Sequence, residues 1–229
     1  MEMLNVNING NKKLKNNETT RFIIWNLPSV TTCPYRTALC EKSCYAKKAE
    51  KVYPTVLPSR AANLEESKKA DFVENMVFTI ERYLNSKSFK DKKTVFRIHE
   101  SGDFYSLEYM KKWVHIARHF KDDNRIVFLA YTKSLEFVIN AGYGSESCSE
   151  WFPKNFVVRS SLWNDTKPHN IDLTMLYRFP IYTALSHEDM ENARKKGAIF
   201  KECRCDDCAT CGKCWSTAPE DKNIIVKIH

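Results

Sequence analysis

Five of the nine cysteines fall within one short stretch near the end of the chain, KECRCDDCATCGKCW, at Cys203, Cys205, Cys208, Cys211 and Cys214. The last three form C-x-x-C-x-x-C, a spacing that lets three thiolates turn inward on one small inorganic core while a fourth ligand comes from farther away. Zinc needs four ligands and commonly uses paired C-x-x-C. Three thiols at two-residue gaps therefore favour iron–sulfur, with zinc as the structural alternative.

A second group, CPYRTALCEKSC, holds Cys33, Cys40 and Cys44 at the spacing C-x6-C-x3-C. It follows the apolar run Phe22–Trp25 directly. Three thiolates in a loop after a first strand resemble the layout of the radical S-adenosylmethionine enzymes. There, three cysteines hold a four-iron cluster whose fourth iron stays open. The usual spacing in that superfamily is C-x3-C-x2-C, so the likeness is one of position and count. It implies a [4Fe-4S] cluster, with S-adenosylmethionine as a second cofactor.

Other residues with chemical capacity stand just past apolar runs. His99, Glu100 and Asp103 lie in HESGD after TVFRI, and His187 follows PIYTA. Ionisable groups at such positions are candidate catalytic residues, because His and Glu transfer protons. A plainer role is also open: Gly102 suits a tight turn and Asp103 a helix cap. Lys133 and Arg159 are candidate cofactor-binding residues, cations that would neutralise a carboxylate or a reduced cluster. Arg60 is weighed in the same role. Trp163 and Trp215 would shield a cluster from water, whereas Tyr109, Trp113 and Phe120 share a helical spacing that suits core. Cys148 stands alone and reads as a small buried hydrophobe. Gly142 and Gly144 make no phosphate loop, since the lysine that such a loop needs is missing.

The elements that must position these residues alternate. Strands are expected at Phe22–Trp25, Thr94–Ile98, Arg125–Ala130, Phe156–Ser160, Pro180–Ala184 and Ala198–Lys201. The tail Asn223–Ile228 is one more strand or a cover across the bottom. Helices are expected over Ser59–Ser86, Ser106–Phe120, a short piece ending near Asn140, and His187–Lys196 with Gly197 as its stop. Alternation of this kind implies a parallel sheet with outer helices. The fold class is α/β, a partial (β/α) barrel of about six parallel strands with a cysteine-rich segment at 203–215. Both cysteine groups then sit on the C-terminal rim, where ligands bind in such folds. The whole chain 1–229 reads as one domain with an N-terminal extension over 1–20.

Composition sets the outer limits. Hydrophobic residues make up 43% and no apolar run is long enough to span a bilayer. The polar start MEMLNVNINGNKKLKNNETT lacks the apolar centre of a signal peptide, so a cytoplasmic location is expected. In a reducing compartment, clustered cysteines read as metal ligands rather than disulfides. The formal charge of +8 admits nucleic acid as a partner, although bound thiolates would offset part of it. Lysine runs such as Lys12–Lys15 and Lys87–Lys93 suit an ordinary solvated face.

The segments CPYRTALCEKSCYAKK, RIHESGDFYSLEYMKKW, FLAYTKS and CATCGKCW, in this order, resemble the gene product 88 family of phage and mobile-element proteins. The resemblance spans most of the chain from Cys33 to Trp215. It implies a cysteine-rich iron–sulfur protein of unassigned reaction, in the host cytoplasm if phage-encoded. The metal ligands it implies are Cys33, Cys40, Cys44, Cys208, Cys211 and Cys214. Cys203 stands about where the family has another cysteine, and Cys205 is an extra. Which of those two is a fourth ligand stays open.

Three functions compete. The first is an enzyme with one or two [4Fe-4S] clusters at the rim, acting on a small-molecule substrate through S-adenosylmethionine chemistry or as a Lewis acid. The second is an electron carrier or redox sensor that serves a partner protein. The third, zinc-stabilised nucleic-acid binding, draws only on the positive charge.

Overall fold

The computed structural model describes residues 1–142, 152–163, 165–166, 181–196, 201–216 and 223–227. Cys148, Gly144 and Gly197 lie outside them. Seven strands form one sheet: β1 Thr20–Trp25, β2 Lys93–Ile98, β3 Ile126–Thr132, β4 Phe156–Trp163, β5 Ile181–Leu185, β6 Lys201–Glu202 and β7 Asn223–Lys227. Their order is β1-β2-β3-β4-β5-β7-β6, and every neighbouring pair is parallel. TRFIIW, TVFRI and IVFLAYT are dense in β-branched and aromatic residues, as strands covered on both faces must be.

The expected α/β architecture and parallel sheet are present, but the barrel is not. The sheet is open, and among the described residues no pairing joins β6 to β1. The outer edge of β1 is already taken: Asn7 bridges Ile24 antiparallel, with both amide–carbonyl bonds made at 2.9 and 2.7 Å. Those are the groups that closure would need. The tail strand β7 covers nothing at a barrel bottom. It inserts between β5 and β6 and so separates the last two strands in the chain-order ladder.

The helices are α1 Ala38–Lys42, α2 Tyr45–Val52, α3 Val56–Lys68, α4 Phe72–Leu84, α5 Leu107–His119, α6 Leu135–Asn140, α7 His187–Lys195 and α8 Cys208–Cys211. The single helix expected over Ser59–Ser86 is two, because the backbone turns extended at Lys69 (φ −63, ψ 154). α4 buries Phe72, Met76, Ile80 and Leu84, a stripe at four-residue spacing. α5 buries Tyr109, Met110, Trp113, Val114 and Ala117, and Ser106 caps it by accepting from the Tyr109 amide at 3.1 Å.

Strands β1 to β4 are laid down side by side in chain order, and the main core lies between one face of the sheet and the helices. Ile23, Trp25, Phe96, Ile98, Phe128, Ala130, Phe156 and Val158 face α4 and α5 there. The N-terminal extension joins that core through Leu4 and Val6, and the Leu4 amide donates to Thr79 on α4 at 2.9 Å. The alternate residues Phe22, Ile24, Val95, Val127, Leu129 and Val157 face the other way. No helix of the main layer covers them. They are covered by Leu14, Ala209, Cys208, Cys214 and Trp215, which belong to the N-terminal and cysteine-rich segments.

Candidate metal centre

The C-terminal cysteine segment lies across the bare face of the sheet. It does not sit on the rim with the first group, as its position after a strand had suggested. β6 is only two residues long, and the chain turns back over β1 and β3. The Cys208 amide donates to the Lys13 carbonyl at 2.9 Å, Thr20 at the start of β1 donates to the Ala209 carbonyl at 3.4 Å, and the Trp215 ring meets Phe22 edge-on at 5.8 Å. Asp207 caps α8 by accepting from the Ala209 and Thr210 amides. Gly212 then takes φ +67, a left-handed turn that glycine enters without strain, and carries the chain to Cys214.

The turn is clamped from below by a buried arginine. Arg159 on β4 is 0% exposed. Its Nε donates to the Cys214 carbonyl at 2.5 Å and its Nη2 to the Lys213 carbonyl at 2.7 Å. A second arginine shares the face: Arg97 on β2 stacks 3.8 Å above the Tyr131 ring on β3. The Tyr131 hydroxyl in turn bonds the Cys214 side chain. Burial raises the Cys214 thiol above its ordinary pKa, and this outweighs Tyr131, Arg159 and Arg97, which pull it down. Burial also pushes Cys208 up to about 12, helped by its neighbours Cys214, Cys203 and Cys211. The closest thiol contact is Cys205 to Cys211, 3.0 Å between sulfurs.

The first group occupies the rim beyond β1. The Cys33 amide donates to Val30, itself at φ +66, and the Arg36 amide to Cys33. Thr37 caps α1 by accepting from the Cys40 amide at 3.2 Å, and Cys44 stands at the N-cap of α2. A half-buried ion pair fixes the loop: Glu50 accepts from the Ser29 amide and hydroxyl and from Arg60 at 2.8 Å. Burial raises Glu50, but Ser29 and Arg60 outweigh it and hold the carboxyl below its ordinary value. Arg60 therefore acts in the frame of the cysteine loop, where it donates to the Ala46 carbonyl and to Glu50. Cys33 is pushed up to about 12 by burial first and the Asp103 carboxylate second.

HESGD braces the rim. His99 takes φ +64 and turns its ring inward, only 2% exposed, between Phe104 and Tyr109. Its Nε2 meets the Tyr109 hydroxyl at 2.9 Å, and burial with Arg97 lowers its pKa to about 3. Glu100 Oε1 accepts from the Asn11 side chain at 2.8 Å. The Asn26 carboxamide accepts the Glu100 and Ser101 amides, which ties the turn to the exit of β1. A Cβ on Gly102 would stand 2.6 Å from Thr32 Oγ1, one residue before Cys33. Asp103 is buried and accepts from Thr132 Oγ1 at 2.5 Å and the Lys133 amide at 2.9 Å, so it fixes the turn after β3. Burial raises its pKa despite these donors.

These residues do not all converge. Cys33, Asp103 and Lys133 come together, and Lys133 Nζ donates to Ser161 at 3.1 Å, 5.5 Å from the Trp163 ring. His187 opens α7 beyond β5 with its side chain 65% exposed, 3.9 Å from Glu191. That is three strands from β2, roughly 14 Å across the sheet. Arg97, Tyr131 and Glu50 stand beside the two cysteine groups and were not singled out in the sequence. The legible signal was Arg97 itself, a lone charge inside an apolar strand.

The donors suit iron–sulfur or zinc: eight free, half-buried thiols in two groups, one group beside guanidinium groups. The C-terminal group meets the start of β1 through Ala209 and Thr20, whereas Cys33 lies beyond the end of that strand. Among the described residues, no three Cys, His, Asp or Glu side chains converge on a point at ligand geometry.

Comparison with known proteins adds the family. The family model described as Gene product 88 matches residues 3–217. The Gene 88 protein of Mycobacterium phage D29 is 37% identical over 105 residues, covering 44% of this chain and 42% of the relative. That of Mycobacterium phage L5 is 34% identical over 105 residues, covering 44% of this chain and 43% of the relative. The match thus spans less than half the length of these curated relatives. No solved structure matches. No helix among the described residues is long and apolar enough to cross a membrane.

Proposed function

The chain belongs to the Gene product 88 family, and from that premise we propose that it is an iron–sulfur protein with two separate thiolate centres, acting as an enzyme at the first. The observation that carries this reading is the division of the eight described thiols into three in the loop beyond β1 and five in the segment whose Cys208 and Cys214 pack on the sheet face. Cys33, Cys40 and Cys44 would hold a [4Fe-4S] cluster short of one protein ligand. Such a cluster supplies either one-electron chemistry with S-adenosylmethionine or polarisation of a bound oxygen. Lys133, beside Cys33 and Asp103, would neutralise an anionic group of the ligand, with Trp163 excluding water. Asp103, held by three donors in a buried turn, keeps Lys133 and Thr132 in position.

The face group has thiols enough for complete ligation. Cys203, Cys208, Cys211 and Cys214 would form a closed centre that carries electrons or stabilises the segment. Zinc is the alternative metal for that group, since a closed four-thiolate site is its usual structural form. The location this reading requires is the cytoplasm, where thiols stay reduced.

Anaerobic purification followed by the visible spectrum and an iron, sulfide and zinc count tests the proposal. Brown protein with iron and sulfide in equal amounts is expected. A colourless protein with zinc in both groups would overturn it. Addition of S-adenosylmethionine to the reduced protein then separates the two chemistries, because an unchanged magnetic resonance signal removes the radical one.

A further inference from the structure

The lysine-rich helix behind the rim cysteines lines a groove that meets the proposed rim centre at Cys44. The groove has a volume of about 540 Å³ between α1 and α2, and Lys42, Lys47, Lys48 and Lys51 line it together with Glu41 and Cys44. Spacing explains the convergence. Cys44, Lys47, Lys48 and Lys51 recur at three and four residues along α2 and so share one face. Glu41 pairs with Lys47 at 2.9 Å and with Arg36 at 2.8 Å. Lys42, Lys48 and Lys51 are exposed and make no ion pair among the described residues. Four lysines against one glutamate thus line the groove, and that glutamate is already paired with Lys47 and Arg36, in a chain of formal charge +8.

Two aromatic rings flank the same helix. Tyr45, 57% exposed as a residue, opens it with its hydroxyl tucked onto the Glu100 carbonyl at 2.5 Å, and Tyr53 closes it 58% exposed, both outside the groove's own lining. The hydrogen bond anchors the Tyr45 hydroxyl, while much of the residue stays exposed.

We propose that this groove binds the phosphodiester backbone of a single-stranded nucleic acid, with bases stacking on Tyr45 and Tyr53. A row of lysines tracks phosphates without reading sequence, and an exposed ring accepts any base. Protein–protein interfaces favour arginine and are depleted in lysine. Four lysines and no arginine in the lining therefore speak for phosphate over an acidic protein. The proposal goes beyond the thiolate centres and stands whether or not they hold iron.

The test is fluorescence anisotropy of a labelled single-stranded DNA titrated with the full chain at several salt concentrations. The wild type should bind, and its affinity should fall as salt rises. Each phosphate contact contributes a slope of about −0.7 in the logarithmic salt plot. Lys42→Gln, Lys48→Gln and Lys51→Gln together should reduce that slope by about 2 and weaken binding at least about tenfold at low salt. Tyr45→Ala with Tyr53→Ala should weaken binding with the slope unchanged. A charge-matched control, Lys12→Gln, Lys87→Gln and Lys90→Gln on exposed lysines elsewhere, should retain most of the affinity. Equal loss in the control and the groove variant would mean a diffuse charge effect and overturn the proposal. So would undetectable DNA binding, or displacement of the DNA by polyglutamate at equal charge concentration.

Discussion

Arg159 on β4 donates to the backbone carbonyl of Cys214, so the last cysteine of the chain is held by a fully buried guanidinium that comes from the sheet beneath it. Removing this donor strands the Cys214 and Lys213 carbonyls. Charged hydrogen bonds are each worth roughly 1.5–3 kcal/mol. Arg159→Met should lower the unfolding free energy by about 3 kcal/mol in urea titrations. It should also lower the metal content of the C-terminal group while the rim group keeps its own. Unchanged stability would mean that the clamp is dispensable.

A glycine makes the second relationship testable. Gly102 has φ +86, and any side chain there meets Thr32 and Leu27 at 2.6 and 2.7 Å. A left-handed conformation costs an ordinary residue about 1–2 kcal/mol, and forced packing adds about 1–3. Gly102→Ala should therefore destabilise the protein by about 3 kcal/mol and disturb metal binding at Cys33 more than at Cys208. Near-wild-type stability would show that the HESGD turn does not brace the cysteine loop.

His99 ties stability to pH. Its pKa in the fold is about 3, lowered from the ordinary 6.5 by burial and by Arg97. Between those values the unfolded chain binds the extra proton, so stability rises with pH and this contribution is complete above about 6.5. It is lost as pH falls through that window, at up to about 1.4 kcal/mol per pH unit. His99→Asn tolerates the positive φ and does not titrate. Its stability should vary less steeply from pH 6.5 down to 3, and parallel curves for the two proteins would refute the assignment.

In the proposed C-terminal centre, the fourth ligand is a choice between neighbours. Cys203 influences Cys208, Cys214 and Cys205, whereas Cys205 lies closest to Cys211 alone. Cys203→Ser should empty the C-terminal group, and Cys205→Ser should leave its metal content near wild type. The reverse pattern would assign Cys205.

Much of this arrangement was legible from residue types. The runs FIIW, TVFRI and RIVFLA announce strands covered on both faces, and Ser106 announces the cap of α5. α1 and α2 were not legible, because ALCEK and YAKKAEKV are polar and carry no long apolar stripe. Their lysines carry no signal of their own in the sequence, and only the fold brings four of them to one groove. The C-terminal cysteines were assigned to the rim because they follow a strand. A strand of two residues sets no direction, and the contacts that turn the segment back, Arg159, Phe22 and Thr20, lie far away in sequence. Barrel closure failed for a similar reason: nothing in MEMLNVN signals that Asn7 occupies the edge of β1.

The central claim is that two thiolate centres are separate and that both hold iron. Its most direct test is iron and sulfide analysis, with the visible spectrum, of the wild type and two variants purified without oxygen. One variant carries Cys33→Ser, Cys40→Ser and Cys44→Ser, and the other Cys208→Ser, Cys211→Ser and Cys214→Ser. The account predicts about eight irons in the wild type and about four in each variant, every sample brown. Loss of all iron from either variant would contradict separate centres, and zinc in place of iron throughout would contradict the iron–sulfur assignment itself.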